Sequence, residues 1–281
     1  MKPTSMVALL LAGMDIVGMT YATAGQRAFA HNFSEDESAN FLVNVMATKV
    51  HLMLVGKNLA NPDAALAHID HVHMFIDDEM LNEIAERNER IAKDIPAALD
   101  DLAIMIESGE DRSVIVGQFR EINSLLAEAV SVRIDSDHIE DTHIKALIVA
   151  GLVDNALASY EQAYGLGEHV MENGQMMEDS MEQSGIVDRD AYVAAKAFAT
   201  LAKNAFFREH LADEGSEMAH EAQLGLVKLR EAVYAEDPLE DVTVAVHLDV
   251  HEKLKEAFGL EIAGHADSDE HSDEEGDHTK G

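Results

Sequence analysis

The chain has 281 residues, of which 54 are acidic and 20 basic, so its formal net charge is −34 with histidine neutral. It contains no cysteine, which excludes a disulfide framework, a cysteine-based zinc site, an iron–sulfur cluster and a thiol nucleophile. The charge argues against binding of nucleic acid, because phosphate neutralisation needs clustered Lys and Arg. The hydrophobic content of 47% is sufficient for a folded core.

Residues 1–30 have the composition of a secretory signal. Lys2 precedes a mostly apolar run over residues 6–19, and two small-x-small sites follow, ending at Ala24 and Ala30. A run of this length is typical of a signal peptide and short for a membrane span. We predict a cleaved signal peptide, with an uncleaved signal anchor or a buried N-terminal helix as alternatives. The mature protein is then extracytoplasmic and has no further membrane span.

The remaining chain has a helical pattern, because proline and glycine are sparse and apolar residues recur every three or four positions. The run from Ser34 to Glu37 predicts a capping box, with Ser34 as the N-cap of a helix that continues to about residue 60. Further helices are predicted at 63–92, 96–107, 111–132, 139–164, 168–183, 188–211, 214–235 and 239–258. Residues 242–246 are a short candidate strand. The predicted fold class is all-α, an antiparallel helical bundle or array.

A weak internal repeat connects the two ends of this helical region. Residues 41–81 align without gaps with residues 193–233, at an offset of 152, and His68 falls on His220. Self-similarity of this kind predicts two related helical hairpins. Two unrelated hairpins that share an Ala- and Leu-rich composition are the alternative.

The repeat suggests a division of the chain into two related helical halves, residues 31–133 and 134–262. Residues 263–281 differ from both halves, because they combine acidic residues and histidines with almost nothing apolar. A segment of this composition cannot bury a core, so we predict a disordered acidic tail.

The 15 histidines occur in groups, which makes metal binding a natural hypothesis. His68 and His71 are three residues apart on a predicted helix and share a face. His247 and His251 are four apart, a spacing that brings two imidazoles to one ion. His220 is a further candidate because it aligns with His68 in the repeat. Neutral imidazole suits copper, zinc, nickel or iron. The alternative is a set of surface histidines on an acidic protein.

A group of methionines is the second candidate metal site. Met171, Met176, Met177 and Met181 lie just after His169, among polar and acidic neighbours. Thioether sulfur is a soft ligand that favours Cu(I). An ordinary apolar helix stripe that includes Met177 and Met181 is the alternative explanation.

Carboxylate-bridged di-iron bundles use two Glu-x-x-His pairs, and this pattern also occurs here. Residues 140–143 and 217–220 match it, as do residues 275–278 in the predicted tail. About half this number of matches is expected by chance at this composition, so a di-iron enzyme is a third hypothesis. No P-loop, dinucleotide fingerprint or nucleophile elbow is present, which favours a non-catalytic protein.

Short motifs spread over most of the chain carry a family resemblance. They are the run from Ala30 to Phe33, the acidic cap that follows, Asn58 to Asn61, the His68, His71 and His73 run, Glu83 to Asn88, Ala156 to Ala163 and Asp190 to Phe207. Together they resemble secreted all-helical proteins of unassigned function from ammonia-oxidising archaea. The resemblance implies an extracytoplasmic setting in a copper-dependent organism, which places copper first among the metals.

The predicted function is therefore that of an exported acidic helical protein that binds or buffers a transition metal. Copper is the first candidate, with zinc or iron as alternatives. The main rival is a structural or interaction protein of the cell envelope, with an envelope protein as partner and incidental histidines. The sequence leaves the oligomeric state open.

Overall fold

A computed structural model describes residues 36–166, 185–214 and 216–261. Within these ranges the chain is helical and has no β-strand, which confirms the predicted all-α class. The helices are α1 (Glu37–Lys57), α2 (Pro62–Phe75), α3 (Asp78–Glu107), α4 (Arg112–Arg133), α5 (Ser136–Glu140), α6 (Thr142–Ala163), α7 (Arg189–Arg208), α8 (Glu217–Ala235), α9 (Leu239–Val244) and α10 (Glu252–Phe258). A 3-10 turn, Leu211–Glu214, precedes α8, and a π-helical segment, Ala245–His251, joins α9 to α10.

Aspartate caps fix the starts of α1, α3, α6 and α7. The carboxylate of Asp36 accepts a hydrogen bond from the Ala39 backbone N–H at 2.7 Å, and that of Asp188 does the same for Ala191 at 2.9 Å. The predicted cap at Ser34 is therefore wrong, because Asp36 takes this role two residues later. Short polar side chains at the N-cap satisfy backbone N–H groups that have no partner within the helix.

Several helix boundaries differ from the predicted ones. The helix predicted over 63–92 ends at Phe75, and a new helix starts behind the Asp77 cap. This helix, α3, continues through Pro96 and carries its kink at Asn88, where φ is −155° and ψ is 93°. The candidate strand at 242–246 is helical, because its apolar residues pack on α8 and α6 rather than on a sheet.

Helix α6 lies at the centre of the packing and contacts α7 and α1. Its apolar side chains are buried along most of its length, from Ile144 to Ala163. Tyr160 is fully buried, and a buried side chain of this kind contributes about 1.5–3 kcal/mol. Within the described ranges, α1 has the length and composition of a membrane span, but 67% of its apolar window is buried inside the protein.

The two hairpins predicted from the repeat, α1–α2 and α7–α8, begin in register. Helices α1 and α7 start at Glu37 and Arg189, 152 residues apart, and each starts behind an aspartate cap. The second helices lose this register, since α8 starts at Glu217, three residues later than the offset requires from Pro62.

Two details distinguish the second hairpin. Helix α8 approaches the π-helical segment so closely that a Cβ added at Gly225 would overlap the carbonyl oxygen of Asp249. The hydroxyls of Tyr160 and Tyr164 both donate to the carbonyl oxygen of Asp237, at 2.6 and 3.1 Å. These hydrogen bonds anchor the turn after α8 to the central helix.

Candidate metal centre

A cluster of three histidines lies between α1 and α2. His51, on α1, is 4% exposed, and His68, on α2, is 3% exposed. His71 follows His68 by one helical turn and is half-buried. The three rings are mutual neighbours, and we call them the histidine cluster.

The rings are close enough to share one ligand. The His51 ring centroid lies 5.0 Å from that of His71, with the two planes nearly parallel at 11°, and 5.6 Å from that of His68. The His68 and His71 centroids are 6.3 Å apart. The sequence grouped His68 with His71 but missed His51, the member that touches both. The available signal was a lone histidine within the apolar run of α1.

The cluster lines a small cavity of about 110 Å³. Met74, one turn beyond His71, lines the same cavity, so α2 presents three potential ligands at intervals of three residues. The start of α7 contributes Asp188 and Asp190, and α6 contributes Ser159 and Gln162. Imidazole, thioether and carboxylate groups from three helices therefore surround one volume.

The surroundings keep the imidazoles neutral. Burial, followed by the neighbouring His71 and His68, holds the pKa of His51 well below its usual range. Burial and then His71 lower the pKa of His68, against an opposing effect of Asp190 and Asp188. Burial also lowers the pKa of His71. Neutral imidazole is the form that coordinates metals.

Burial of two ring nitrogens of the histidine cluster lowers the stability of the fold. Neither His51 Nδ1 nor His68 Nε2 has a hydrogen-bond partner among the described residues, although both atoms are buried. A buried polar atom left without a partner costs about 1–3 kcal/mol. The Phe75 and Phe198 rings, whose centroids lie 5.6 and 5.8 Å from that of His51, offer no acceptor. Stability alone therefore gives no reason for a histidine at position 51.

The present rotamers do not form a complete ligand set. In residues 36–166, 185–214 and 216–261, no group of three His, Asp or Glu side chains is placed to hold a metal ion. Metal–nitrogen bonds of about 2.1 Å would put tetrahedrally arranged ring centroids about 5.2 Å apart. Two of the three observed separations are within half an ångström of this value, and the His68–His71 separation is about 1 Å too long. Ligation by all three imidazoles therefore requires side-chain rotation that brings His68 and His71 closer together.

The second predicted pair, His247 and His251, lies on the π-helical segment. Its ring centroids are 5.8 Å apart, and His251 is 2% exposed. His251 Nε2 lies 3.4 Å from a carboxylate oxygen of Asp154 on α6. Isolated π-helical turns often occur at functional sites, and this pair lies beside the Asp154 carboxylate.

The other predicted site residues are not brought together. His220 is exposed on α8 and has no ring contact with another histidine of the described ranges. His169, Met171, Met176, Met177 and Met181 lie in residues 167–184, outside the described residues.

The two Glu-x-x-His pairs within the described residues lie on the protein surface, and the third, residues 275–278, lies outside the described residues. Glu140 ends α5 and accepts a hydrogen bond from Lys145, whereas His143 lies in the first turn of α6 and contacts the Phe258 carbonyl oxygen. Glu217 and His220 are exposed on α8. Di-iron ligands project into the bundle interior, so this arrangement differs from theirs.

Comparisons of the chain with protein-family models, with curated proteins and with solved structures find no match. The geometry of the chain itself therefore carries the functional proposal.

Proposed function

We propose that the protein binds one transition metal ion in the histidine cluster and acts as a non-catalytic metal-binding or metal-buffering protein. The observation that carries this proposal is the burial of His51 and His68 beside one cavity, with one ring nitrogen of each lacking a partner among the described residues. Coordination would satisfy these nitrogens, and the depressed pKa values of the cluster reduce the proton competition that metal binding must overcome.

Copper is the first candidate metal. Met74 adds a thioether to the three imidazoles around the cavity, and soft sulfur ligands favour Cu(I) over zinc. The family resemblance suggested by the sequence supports the same metal. Zinc or iron would use the imidazoles with Asp188 or Asp190 instead of the thioether.

A competitive titration of the full chain with Cu(I), Cu(II) and Zn(II) against chelators tests this function. We expect His51→Leu/His68→Gln to weaken the tightest site at least 100-fold. The control, His73→Gln/His220→Gln, removes two exposed histidines, one on α2 and one on α8, and should stay within about twofold. Equal affinity of the tightest site in both double variants would contradict the proposal.

The choice of copper has its own test. Leu and Met have similar volume and helix propensity, so Met74→Leu should leave the fold intact. We expect this variant to lose about tenfold in Cu(I) affinity with little change for Zn(II). An equal loss for both metals would indicate that Met74 only shapes the cavity.

The rival function, a structural or interaction protein of the envelope, draws support from the aromatic packing of the cluster. His51 contacts Phe75 and Phe198 and stacks on His71, as a core aromatic side chain does. In that case the full chain would bind no metal more tightly in its native form than in urea.

We also propose that the protein is exported. Cleavage after Ala24 or Ala30 would leave the described fold whole, because its first cap is Asp36. N-terminal sequencing of the protein from the producing cell tests this. A native chain that begins at Met1 would contradict the cleaved signal.

A further inference from the structure

A long groove runs between α1 and α7 on the surface of the protein. Its volume is about 740 Å³, which lies within the usual range for pockets that hold small organic ligands. The floor is apolar and includes Met46, Val50, Met53 and Leu201. Met53 remains 43% exposed, so this apolar floor is open to solvent.

The charge of the groove is opposite to that of the protein. Its lining contains Lys49, Lys57, Lys196 and Arg208 and no acidic residue. In the whole chain, acidic residues outnumber basic ones by 54 to 20. Four cations without an acid therefore form a local positive field on a strongly negative molecule, and such a field attracts anions.

These cations have no carboxylate partner in the part of the chain that the structure describes. None of the four forms an ion pair with an acidic residue of the described ranges, although Lys145, Arg133 and other basic side chains do. Lys196 is held instead over the Tyr192 ring, 3.9 Å from its centroid, where its charge stays available. Desolvation lowers the pKa of Lys49, a cost that a bound anion would offset.

We propose that this groove binds an amphipathic anion, a small molecule with a carboxylate or phosphate head and an apolar chain. The cations would contact the head, and the methionine, valine and leucine side chains would cover the chain. The predicted acidic tail is a poorer occupant, since residues 263–281 have almost nothing apolar to place on the floor. This site is separate from the histidine cluster and does not depend on metal binding.

Calorimetric titration of the full chain tests the proposal with dodecanoate, dodecyl phosphate, dodecanol and inorganic phosphate, each in monomeric solution. We expect both amphipathic anions to bind, and to bind at least tenfold more tightly than either dodecanol or phosphate. The relative affinities for dodecanoate and dodecyl phosphate show whether the groove prefers a carboxylate or a phosphate head. Shortening dodecanoate should weaken binding about two- to fourfold per methylene.

Charge variants locate the site. Lys49→Gln/Lys196→Gln should weaken dodecanoate binding about tenfold, because two partly exposed ion pairs with the head group are lost. The control Lys203→Gln/Lys255→Gln removes the same charge outside the groove and should leave affinity within about twofold. No dodecanoate binding by the full chain, or equal loss in both double variants, would overturn the proposal. If the full chain does not bind dodecanoate and Lys49→Gln/Lys196→Gln lowers the melting temperature, the groove cations stabilise the fold through an acidic segment of the chain, which is then the occupant.

Discussion

The hairpins α1–α2 and α7–α8 begin with equivalent aspartate caps but bury different side chains. His51 and His71 of the first hairpin correspond, at the offset of 152, to Lys203 and Gln223 of the second. His68 corresponds to His220, yet His68 is 3% exposed and His220 lies on the surface. An identical residue at an equivalent position therefore has a different environment in each hairpin.

Neighbouring helices account for this difference. The histidine face of α2 lines a cavity with residues of α6 and α7, whereas α8 turns its buried face to α7, the π-helical segment and α10. The buried positions also differ, since α8 buries Ala219 and Ala222, whereas the equivalent residues of α2, Ala67 and Asp70, are exposed. A sequence repeat can thus preserve the start of its first helix while the burial of equivalent residues diverges.

Gly225→Ala should give the largest loss of stability. The new methyl group would overlap the Asp249 backbone, and overpacking of this kind costs about 3 kcal/mol of unfolding free energy. The equivalent residue in the first hairpin is the exposed His73, and His73→Ala should change stability by less than about 0.5 kcal/mol. Urea unfolding followed by circular dichroism compares the two. Equal stability of Gly225→Ala and the wild type would mean that α8 does not approach the π-helical segment this closely.

Acid should destabilise the first hairpin through His51. Its pKa in the folded state lies well below 6.5, so the unfolded chain takes up the proton first as pH falls. Stability is then complete above about pH 6.5 and is lost as pH falls toward the folded-state pKa, by about 1.4 kcal/mol per pH unit for this one buried group.

His51→Leu should remove this contribution. We expect a shallower loss of stability between pH 6.5 and 5 and, without metal at neutral pH, a gain of about 1 kcal/mol from removing a buried nitrogen that lacks a partner. The matched control is His220→Leu, whose pH dependence should follow the wild type. Urea melts across this pH range provide the measurement, and parallel curves for His51→Leu and the wild type would refute the assignment.

The caps Asp36 and Asp188 should contribute equally to stability but unequally to metal binding. Asp36→Ala and Asp188→Ala should each cost about 1 kcal/mol, because each removes an N-cap hydrogen bond. Asparagine keeps the cap, so Asp36→Asn and Asp188→Asn should be nearly neutral in stability. Only Asp188→Asn removes a charge beside the histidine cluster, and we expect it to weaken metal binding several-fold. Identical metal affinity in both Asn variants would exclude Asp188 from the site.

The sequence predicted the helical class and most helix positions because apolar spacing along the chain directly reflects burial. It misplaced the break at Phe75, where no proline or glycine marks the end of α2. It also treated Pro96 as a boundary, although α3 continues through it and is kinked instead at Asn88. Backbone geometry of this kind depends on tertiary packing, which overrides local preferences.

The candidate site was predicted only in part for a related reason. Spacing of three or four residues reveals partners on one helix, and it found both His68 with His71 and His247 with His251. His51 and Met74 join the first pair through contacts between helices and around a cavity, which one sequence does not encode as a spacing. The metal function itself stays a prediction.

The positions of the tyrosines make intrinsic fluorescence a probe of one part of the molecule. The chain has no tryptophan, and the tyrosines of the described residues lie on α6 or directly after it (Tyr160 and Tyr164), on α7 (Tyr192) or on α8 (Tyr234). Ultraviolet fluorescence of the folded region therefore reports the surroundings of the second hairpin, whereas far-ultraviolet dichroism reports every helix. If the first hairpin opens to load or release an ion while the second stays packed, helicity will change and the emission will not. The two signals can thus follow each hairpin without any attached dye.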